Sequence, residues 1–143
     1  MSWIPIRTAI KAKLDTLVGP GLLIGMVDDK FHNKISSYPA VMFEPSSDPG
    51  EFFTNSENMH VYTYEFVVVQ EFESNGMGRD EAIRILGNAV DAVVNAFDNY
   101  QQLGGACDYT EAVTGEWFTA NAGNGMALVA RMTLRCHKLK AVT

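Results

Sequence analysis

A strand, a glycine pair and a helix follow one another between residues 66 and 90, the order in which many phosphate-binding loops are built. Gly76 and Gly78 stand where such a loop would lie. A dinucleotide-binding fingerprint needs a third small residue three positions after the second glycine, and Glu81 occupies that position. Asp80 and Glu81 also complement the positive end of the helix dipole and would repel a phosphate. We therefore interpret the glycines as a bend between strand and helix.

The histidines and cysteines could bind a metal or supply a nucleophile, but their spacing favours neither. His32, His60 and His137 have no ligand residue at metal-binding spacing on the same predicted element. Cys107 and Cys136 lack the spacing of a disulfide framework, which favours buried free thiols in a reducing compartment. A dyad of Cys107 and His137 would need a tertiary contact. We predict no catalytic site, no cofactor and no metal, and we expect that the protein is not an enzyme.

Acidic and basic residues are unevenly distributed along the chain. The formal net charge of −6 argues against a nucleic-acid binder, because that affinity comes from Lys and Arg releasing counterions from phosphates. Acids dominate from Glu44 to Glu81, where Arg79 is the only base, whereas the segment from Arg131 to Lys140 contains bases and no acid. Such polarity suits surfaces that meet surfaces of opposite sign.

The N-terminal segment and the apolar runs bear on location. The first residues have charges spread through them and no apolar centre, so we expect no signal peptide. The longest apolar run, from Leu22 to Val27, is interrupted by Gly25 and is far too short to span a bilayer. These features predict a soluble protein made in the cytoplasm.

The periodicity of apolar residues predicts two helices. The first precedes the Gly-Pro-Gly at 19–21, with Ser2 as its cap. Its apolar stripe consists of Ile6, Ile10, Leu14 and Leu17. The second runs from Arg79 to Phe97, and its apolar stripe consists of Ile83, Leu86, Val90, Val93 and Phe97, widened by alanines. Its solvated stripe consists of Glu81, Arg84, Asn88, Asp91, Asn95 and Asp98.

Alternating apolar residues predict four strands, at 38–45, 60–72, 106–119 and 126–140. The Asn-rich turn at 121–125 joins the last two strands into an antiparallel hairpin, and Gly115 marks a bulge or bend in the first of them. On the 60–72 strand we expect the aromatic face to be the core. The order of elements predicts an α+β fold, a largely antiparallel sheet with the two main helices packed on one face of a single domain.

A long polar loop, at 45–58, separates the first two predicted strands. Phe52 and Phe53 lie at its centre. Exposed paired aromatic rings are unfavourable without a burial site, so they either anchor the loop on its own domain or insert into a neighbouring molecule. Both interpretations stay open.

The sheet face opposite the apolar one carries charges of both signs. Glu65 and Glu71 on the 60–72 strand project from it, and so do Arg131, Arg135 and His137 on the last strand. One interpretation is a solvated face with cross-strand ion pairs. The other is an intersubunit surface, because valines mixed with complementary charges are what an assembling interface needs.

The order of the elements and the amino-acid sequences within them resemble those of the tail terminator (tail completion) proteins of long-tailed bacteriophages. The resemblance rests on a short N-terminal helix, then "YPAV", "YTYEFVVVQEF", "GRDEAIRILGNAVDAVVNAF" and "MALVARMTLRC", and it covers nearly the whole of residues 1–143. It implies a homohexameric ring that ends polymerisation of the tail tube and joins the tail to the head.

The resemblance also implies a location and partners. The ring would be assembled in the host cytoplasm and would lie at the tail–neck junction of the virion, with no membrane contact. Its partners would be the tail tube protein and a head-completion or neck protein. Genomic DNA would pass through the lumen without specific binding. Because the chain has a net negative charge, the ring would not attract the DNA phosphates. No enzymatic activity and no cofactor are implied.

Two other interpretations stay open. The chain could be another head–tail joining protein of the phage neck. It could also be a small α+β enzyme or ligand-binding domain whose site forms through tertiary contact around His60, Tyr62 and Cys136.

Overall fold

A five-stranded sheet, covered on one face by two helices, forms the centre of the protein. A computed structural model describes residues 3–19, 23–32, 34–46, 57–73, 76–100, 102–122 and 125–141. In chain order the elements are α1 (Trp3–Asp15), β1 (Met26–Asp28), β2 (Ala40–Pro45), β3 (Glu57–Phe72), α2 (Arg79–Asp98), a short 3-10 helix (Leu103–Gly105), β4 (Tyr109–Ala122) and β5 (Gly125–Ala141).

The sheet is largely antiparallel, as predicted. Its strands lie in the order β1-β2-β3-β5-β4, and only the short β1 pairs parallel to its neighbour. The long strands β3 and β5 are central, and β4 forms one edge. The α+β fold and the closing hairpin of β4 and β5 are therefore confirmed. No helix in the described part of the chain is long and apolar enough to cross a membrane.

The first helix packs its predicted apolar stripe on the sheet. Ile6, Ile10 and Leu14 are fully buried. The helix ends at Asp15, whose carboxylate accepts a hydrogen bond from Lys11 one turn earlier. Leu17 therefore lies beyond the helix, where it is half-buried against the core. The proposed cap, Ser2, lies outside the described residues.

The second helix packs through its predicted apolar stripe, except at Ile83. Ala82, rather than Ile83, faces the core, and the Ile83 side chain is 40% exposed. The alanines at 82, 89 and 96 allow close approach to the sheet, which turns the larger Ile83 to the flank. The predicted polar stripe is exposed at every position, from Glu81 to Asp98.

The aromatic face of β3 forms the main core, as predicted. The Phe66 ring stacks on Phe43 at 5.3 Å between centroids and meets Phe97 of α2 edge-on at 5.8 Å. We call the sheet face that carries these rings the inner face. Its other buried apolar residues on β3 and β5 are Tyr62, Tyr64, Val68, Phe72, Leu128, Ala130, Met132, Leu134 and Cys136.

The opposite, outer face is not uniformly solvated. A second apolar cluster there consists of Met42, Val69, Ala127 and Val129. Residues 34–38, which we call the covering segment, pack Ile35 and Tyr38 onto it. Pro39 follows the covering segment and directly precedes β2. The predicted place of this proline at a strand start is therefore confirmed.

Polar contacts hold the chain just before the covering segment. The Arg7 guanidinium donates a hydrogen bond to the Asp29 carbonyl oxygen, at 2.9 Å. His32 Nε2 lies 2.6 Å from Asp28 Oδ2. The Phe31 amide donates to the Glu44 carboxylate on β2 at 2.7 Å. These contacts connect α1, β1 and β2 and fix where the covering segment begins.

Candidate functional site

The open part of the outer face brings together most of the charged residues singled out from the sequence. Arg131 lies opposite Val67 of β3, and Arg135 lies between Thr63 of β3 and Glu111 of β4. Because side chains alternate along a strand, residues two and four positions apart share a face. Glu65, Arg131 and Arg135 are all exposed on this face. Their predicted side of the sheet is therefore confirmed.

These charges do not neutralise one another within the chain. Across the described ranges, Glu65, Arg131 and Arg135 have no oppositely charged group within 4.0 Å. The Arg131 guanidinium lies 5.3 Å over the Phe118 ring instead. In the described part of the chain, cross-strand ion pairs of an ordinary solvated face are therefore missing around Glu65, Arg131 and Arg135, whereas Glu111 and His137 form one nearer the end of the sheet.

A β-bulge places Arg131 at the centre of the open surface. Between Thr114 and Trp117 the register with β5 shifts, so that Gly115 and Glu116 together face the single residue Arg131. A Cβ atom at Gly115 would lie 3.2 Å from the Arg131 carbonyl oxygen, closer than most side chains tolerate. The predicted bulge at Gly115 is thus confirmed, and the small residue allows the two backbones to approach.

A concave pocket of about 390 Å³ lies beside the bulge. The carboxylates of Glu65 and Glu116 and the guanidinium-bearing Arg131 line it together with the Phe31 ring. Both signs of charge and an aromatic wall therefore meet in one open depression. This pocket was not predicted from the sequence, because it depends on the bulge register and on Phe31 of a distant segment.

Glu71, by contrast, serves the covered part of the outer face. It lies opposite Ala127, four residues along β5 from Arg131, or about 13 Å. Partial burial, the charge of Glu71 and a hydrogen bond to its carboxylate together raise the pKa of the Tyr38 phenol. The structure therefore separates Glu71 from Glu65 and places it at the anchor of the covering segment.

A histidine site occupies the other end of the open surface. His137 Nε2 lies 2.6 Å from Glu111 Oε1, and the imidazole stacks on the Tyr109 ring at 4.2 Å. Glu111 is thereby directed to His137, although Arg135 is its register partner on β5. The sequence did not reveal this trio, since the bulge determines which β4 residues face His137.

The buried thiols are closed to substrates. Cys107 and Cys136 are both buried and neither forms a disulfide, as expected. The hydrogen bond between them and burial both raise the pKa of the Cys136 thiol. His137 follows Cys136 and projects from the opposite face of the strand, so the dyad with Cys107 does not form. Tyr62, the register partner of Cys136, is buried in the core as well.

Three other candidate residues cannot be placed at the site. The side chain of His60 lies outside the described residues, and so do Phe52 and Phe53 of the 45–58 loop. Among the residues that the structure does describe, no three His, Cys, Asp or Glu side chains converge as metal ligands would.

The arrangement on the open outer face is suited to binding. Guanidinium and carboxylate groups without internal partners can form charge-assisted hydrogen bonds with another surface. The nearby Phe118 and Val113 side chains are partly exposed and supply apolar area beside them. Among known protein families no model matches this chain, and no curated protein matches it significantly.

Proposed function

We propose that the protein is a structural virion component, a tail terminator of a long-tailed bacteriophage. In this role it assembles into a homohexameric ring that ends polymerisation of the tail tube and joins the tail to the head or neck. The ring contacts the tail tube protein on one side and a head-completion protein on the other. It lies at the tail–neck junction, and genomic DNA passes through it without specific binding.

The observation that carries the proposal is the open outer face with its unpaired charges. A half-covered sheet that served only its own domain would gain stability from pairing Arg131 and Arg135 with neighbouring acids. Exposed groups of both signs, next to apolar side chains and a pocket, are instead what an intersubunit contact uses. The resemblance in the order of elements then selects a ring-forming phage protein among assembling proteins.

No catalytic role forms part of the proposal. The thiols of Cys107 and Cys136 are buried, and the His137 side chain is only 12% exposed between Tyr109 and Glu111. The groups that could do chemistry are therefore engaged in packing.

The test combines gene context with assembly. The gene is expected to lie beside genes for a major tail protein and a tape-measure protein. The purified chain, mixed with the tube protein encoded next to it, is expected to form six-subunit rings at tube ends in negative-stain images. Native mass spectrometry then gives the subunit number.

Tubes that keep growing in the presence of the protein, with no density added at their ends, would contradict the proposal. So would a gene context without tail genes together with a chain whose melting temperature rises on addition of a metabolite. The tube must be present in the decisive sample, because a tube end can serve as the template on which the ring closes.

A further inference from the structure

We infer that copies of this chain associate helix to sheet, with the C-terminal half of α2 from one copy bound over Arg131 and Arg135 of the next. This contact rests on the proposed ring and names its interface. We call the α2 side chains involved the acidic stripe; they are Asn88, Asp91, Asn95 and Asp98.

The acidic stripe forms one straight row along α2, and its carboxylates have no basic partner in the described residues. Its four side chains recur at three- and four-residue spacing and are all exposed. The bases of the same helix are used elsewhere. Arg84 pairs with Glu81, and Arg79 donates to the Thr119 hydroxyl at 3.0 Å. Within the described part of the chain, neither Asp91 nor Asp98 has a base within 4.0 Å.

The position of Asp98 points independently to an external cation. The last turn of α2 contains no basic residue, although Asp98 is its final residue. A carboxylate at a helix C-terminus lies at the negative end of the helix dipole, where it is destabilising unless a positive charge offsets it. No base of the described residues lies within 4.0 Å of the Asp98 carboxylate, and the Lys13 amino group beyond the helix end lies over the Tyr100 ring at 4.9 Å. A guanidinium from a second molecule would therefore complete this charge pairing.

The spacing of the two charged pairs fits a direct contact. Asp91 and Asp98 are seven residues apart, or about 10.5 Å along a helix. Arg131 and Arg135 are four residues apart, or about 13 Å along a strand. Long arginine side chains can span the difference and form bidentate pairs with carboxylates.

The carboxylates around the arginines favour this partner over a nucleic acid. Glu65 and Glu116 line the pocket beside Arg131, and Glu111 lies next to Arg135. A phosphate backbone has acceptor oxygens only, so it could not donate hydrogen bonds to these three carboxylates. The amide groups of Asn88 and Asn95 alternate with the acids of the acidic stripe, and they can donate hydrogen bonds to these carboxylates.

The placement of the two surfaces makes the association head-to-tail. Helix α2 packs its apolar side on the inner face of the sheet, so the acidic stripe points away from the sheet. Arg131 and Arg135 project from the outer face, on the opposite side of the molecule. Each bound pair of copies therefore leaves one surface of each kind open. Such a heterologous contact repeats until it closes into a ring or extends as a filament.

The test is a pair of charge reversals read by sedimentation velocity and mass photometry. One variant carries Arg131→Glu and Arg135→Glu, and the other carries Asp91→Lys and Asp98→Lys. Each is expected to associate at least about 100-fold more weakly than the wild type, because each brings like charges together. Unchanged circular dichroism and melting temperature show that both variants are folded.

Mixing the two folded variants in equal amounts provides the rescue. Every contact in the mixture then joins opposite charges if the two variants alternate, so oligomers with even subunit numbers and equal composition are expected. The variant Asp80→Lys with Glu81→Lys is the matched control. It makes the same charge change on the same helix, outside the acidic stripe, and should associate like the wild type.

Three results would overturn the contact: wild-type association by either reversal variant, no association in the mixture, or a wild type that stays monomeric at low salt and high concentration and whose rings at tube ends form equally well with either reversal variant. Rings at tube ends combined with any of these would leave the proposed function standing with a different interface. Alternating oligomers from a chain that does not bind tube ends would establish the contact and reject the phage role.

Discussion

The two faces of the sheet are stabilised in different ways. The inner face is covered by two helices that carry their own periodic apolar stripes, and aromatic rings fill the space between. The outer face is covered only in part, by the covering segment at residues 34–38, which has no regular secondary structure. On the rest of it, Glu65, Arg131 and Arg135 are exposed, with no oppositely charged group within 4.0 Å in the described residues. The inner face therefore provides most of the stability, and the outer face is available for contacts with other molecules.

The largest effect should come from removing an inner-face ring. Phe66→Ala deletes a side chain that is 1% exposed and packed between Phe43 and Phe97. The free energy of unfolding should fall by about 3–5 kcal/mol in urea titrations. The matched control is Phe118→Ala on the outer face, where the ring is 37% exposed and the loss should stay below about 1 kcal/mol. Similar losses for both would show that the outer face is as essential to stability as the inner one.

Two neighbouring valines on β3 allow the two faces of the sheet to be compared by the same substitution. Val68 faces inward and is fully buried, whereas Val69 faces outward and is 7% exposed beneath the covering segment. Val68→Ala should cost about 2–3 kcal/mol. Val69→Ala should cost roughly half as much, since a segment without secondary structure can settle onto the smaller side chain. Equal costs in the same titration would mean that the cover is packed as rigidly as the helices.

The attachment of the covering segment can be loosened at Gly25. A Cβ atom there would lie 2.7 Å from the Tyr38 carbonyl oxygen and would also meet the Ser37 hydroxyl. Gly25→Ala should lower the free energy of unfolding by about 1–3 kcal/mol and increase hydrogen exchange in residues 34–38. Unchanged exchange there would show that the segment does not depend on this close approach.

A glycine in α2 provides the control of opposite sign. A Cβ atom at Gly87 would lie 3.8 Å from the Trp117 ring, an ordinary contact. Gly87→Ala should raise the free energy of unfolding by about 0.5–1 kcal/mol, because alanine is favoured over glycine inside a helix.

The sequence was sufficient to predict the inner face. The two-residue alternation of Tyr62, Tyr64 and Phe66 identified the core side of β3 before any contact was known. In α2 the predicted apolar stripe was wrong only at Ile83, because Ala82 and Ile83 both fit the helical period. Only the close packing against the sheet determines that the smaller one faces inward.

The outer face could be predicted only in part. The bulge at Gly115 was predicted, but nothing in the local sequence indicates the direction of its register shift. This shift places Glu116 beside Arg131 and the Tyr109 ring on His137. The covering segment has no periodicity that could reveal its place over Val69. The pairing of His32 with Asp28 was missed although the two residues are only four apart. The loop with Phe52 and Phe53 lies outside the described residues, so its role stays a prediction.

The smallest effect should appear in acid, at the contact that precedes the covering segment. Partial burial alone would raise the pKa of Asp28, but hydrogen bonds from His32 and from the Asp29 amide, with the charges of His32 and Lys30, lower it below its ordinary value. The unfolded chain therefore binds this proton more readily than the folded one. Asp28 stabilises the fold fully above about pH 4, and this contribution is lost as the pH falls through the folded-state pKa.

Asp28→Asn should accordingly be less stable than the wild type at pH 5 to 6, and the difference should shrink towards about pH 3. Urea titrations of both proteins across this range provide the measurement. If the difference in free energy of unfolding between the two proteins stayed constant with pH, the charge of the Asp28 carboxylate would not contribute to stability. Hydrogen exchange in residues 34–38 would then show whether the covering segment is held by packing of Ile35 and Tyr38 alone. If exchange in that segment rises in step with protonation of Asp28, the outer face instead depends on a polar contact that the inner face does not need.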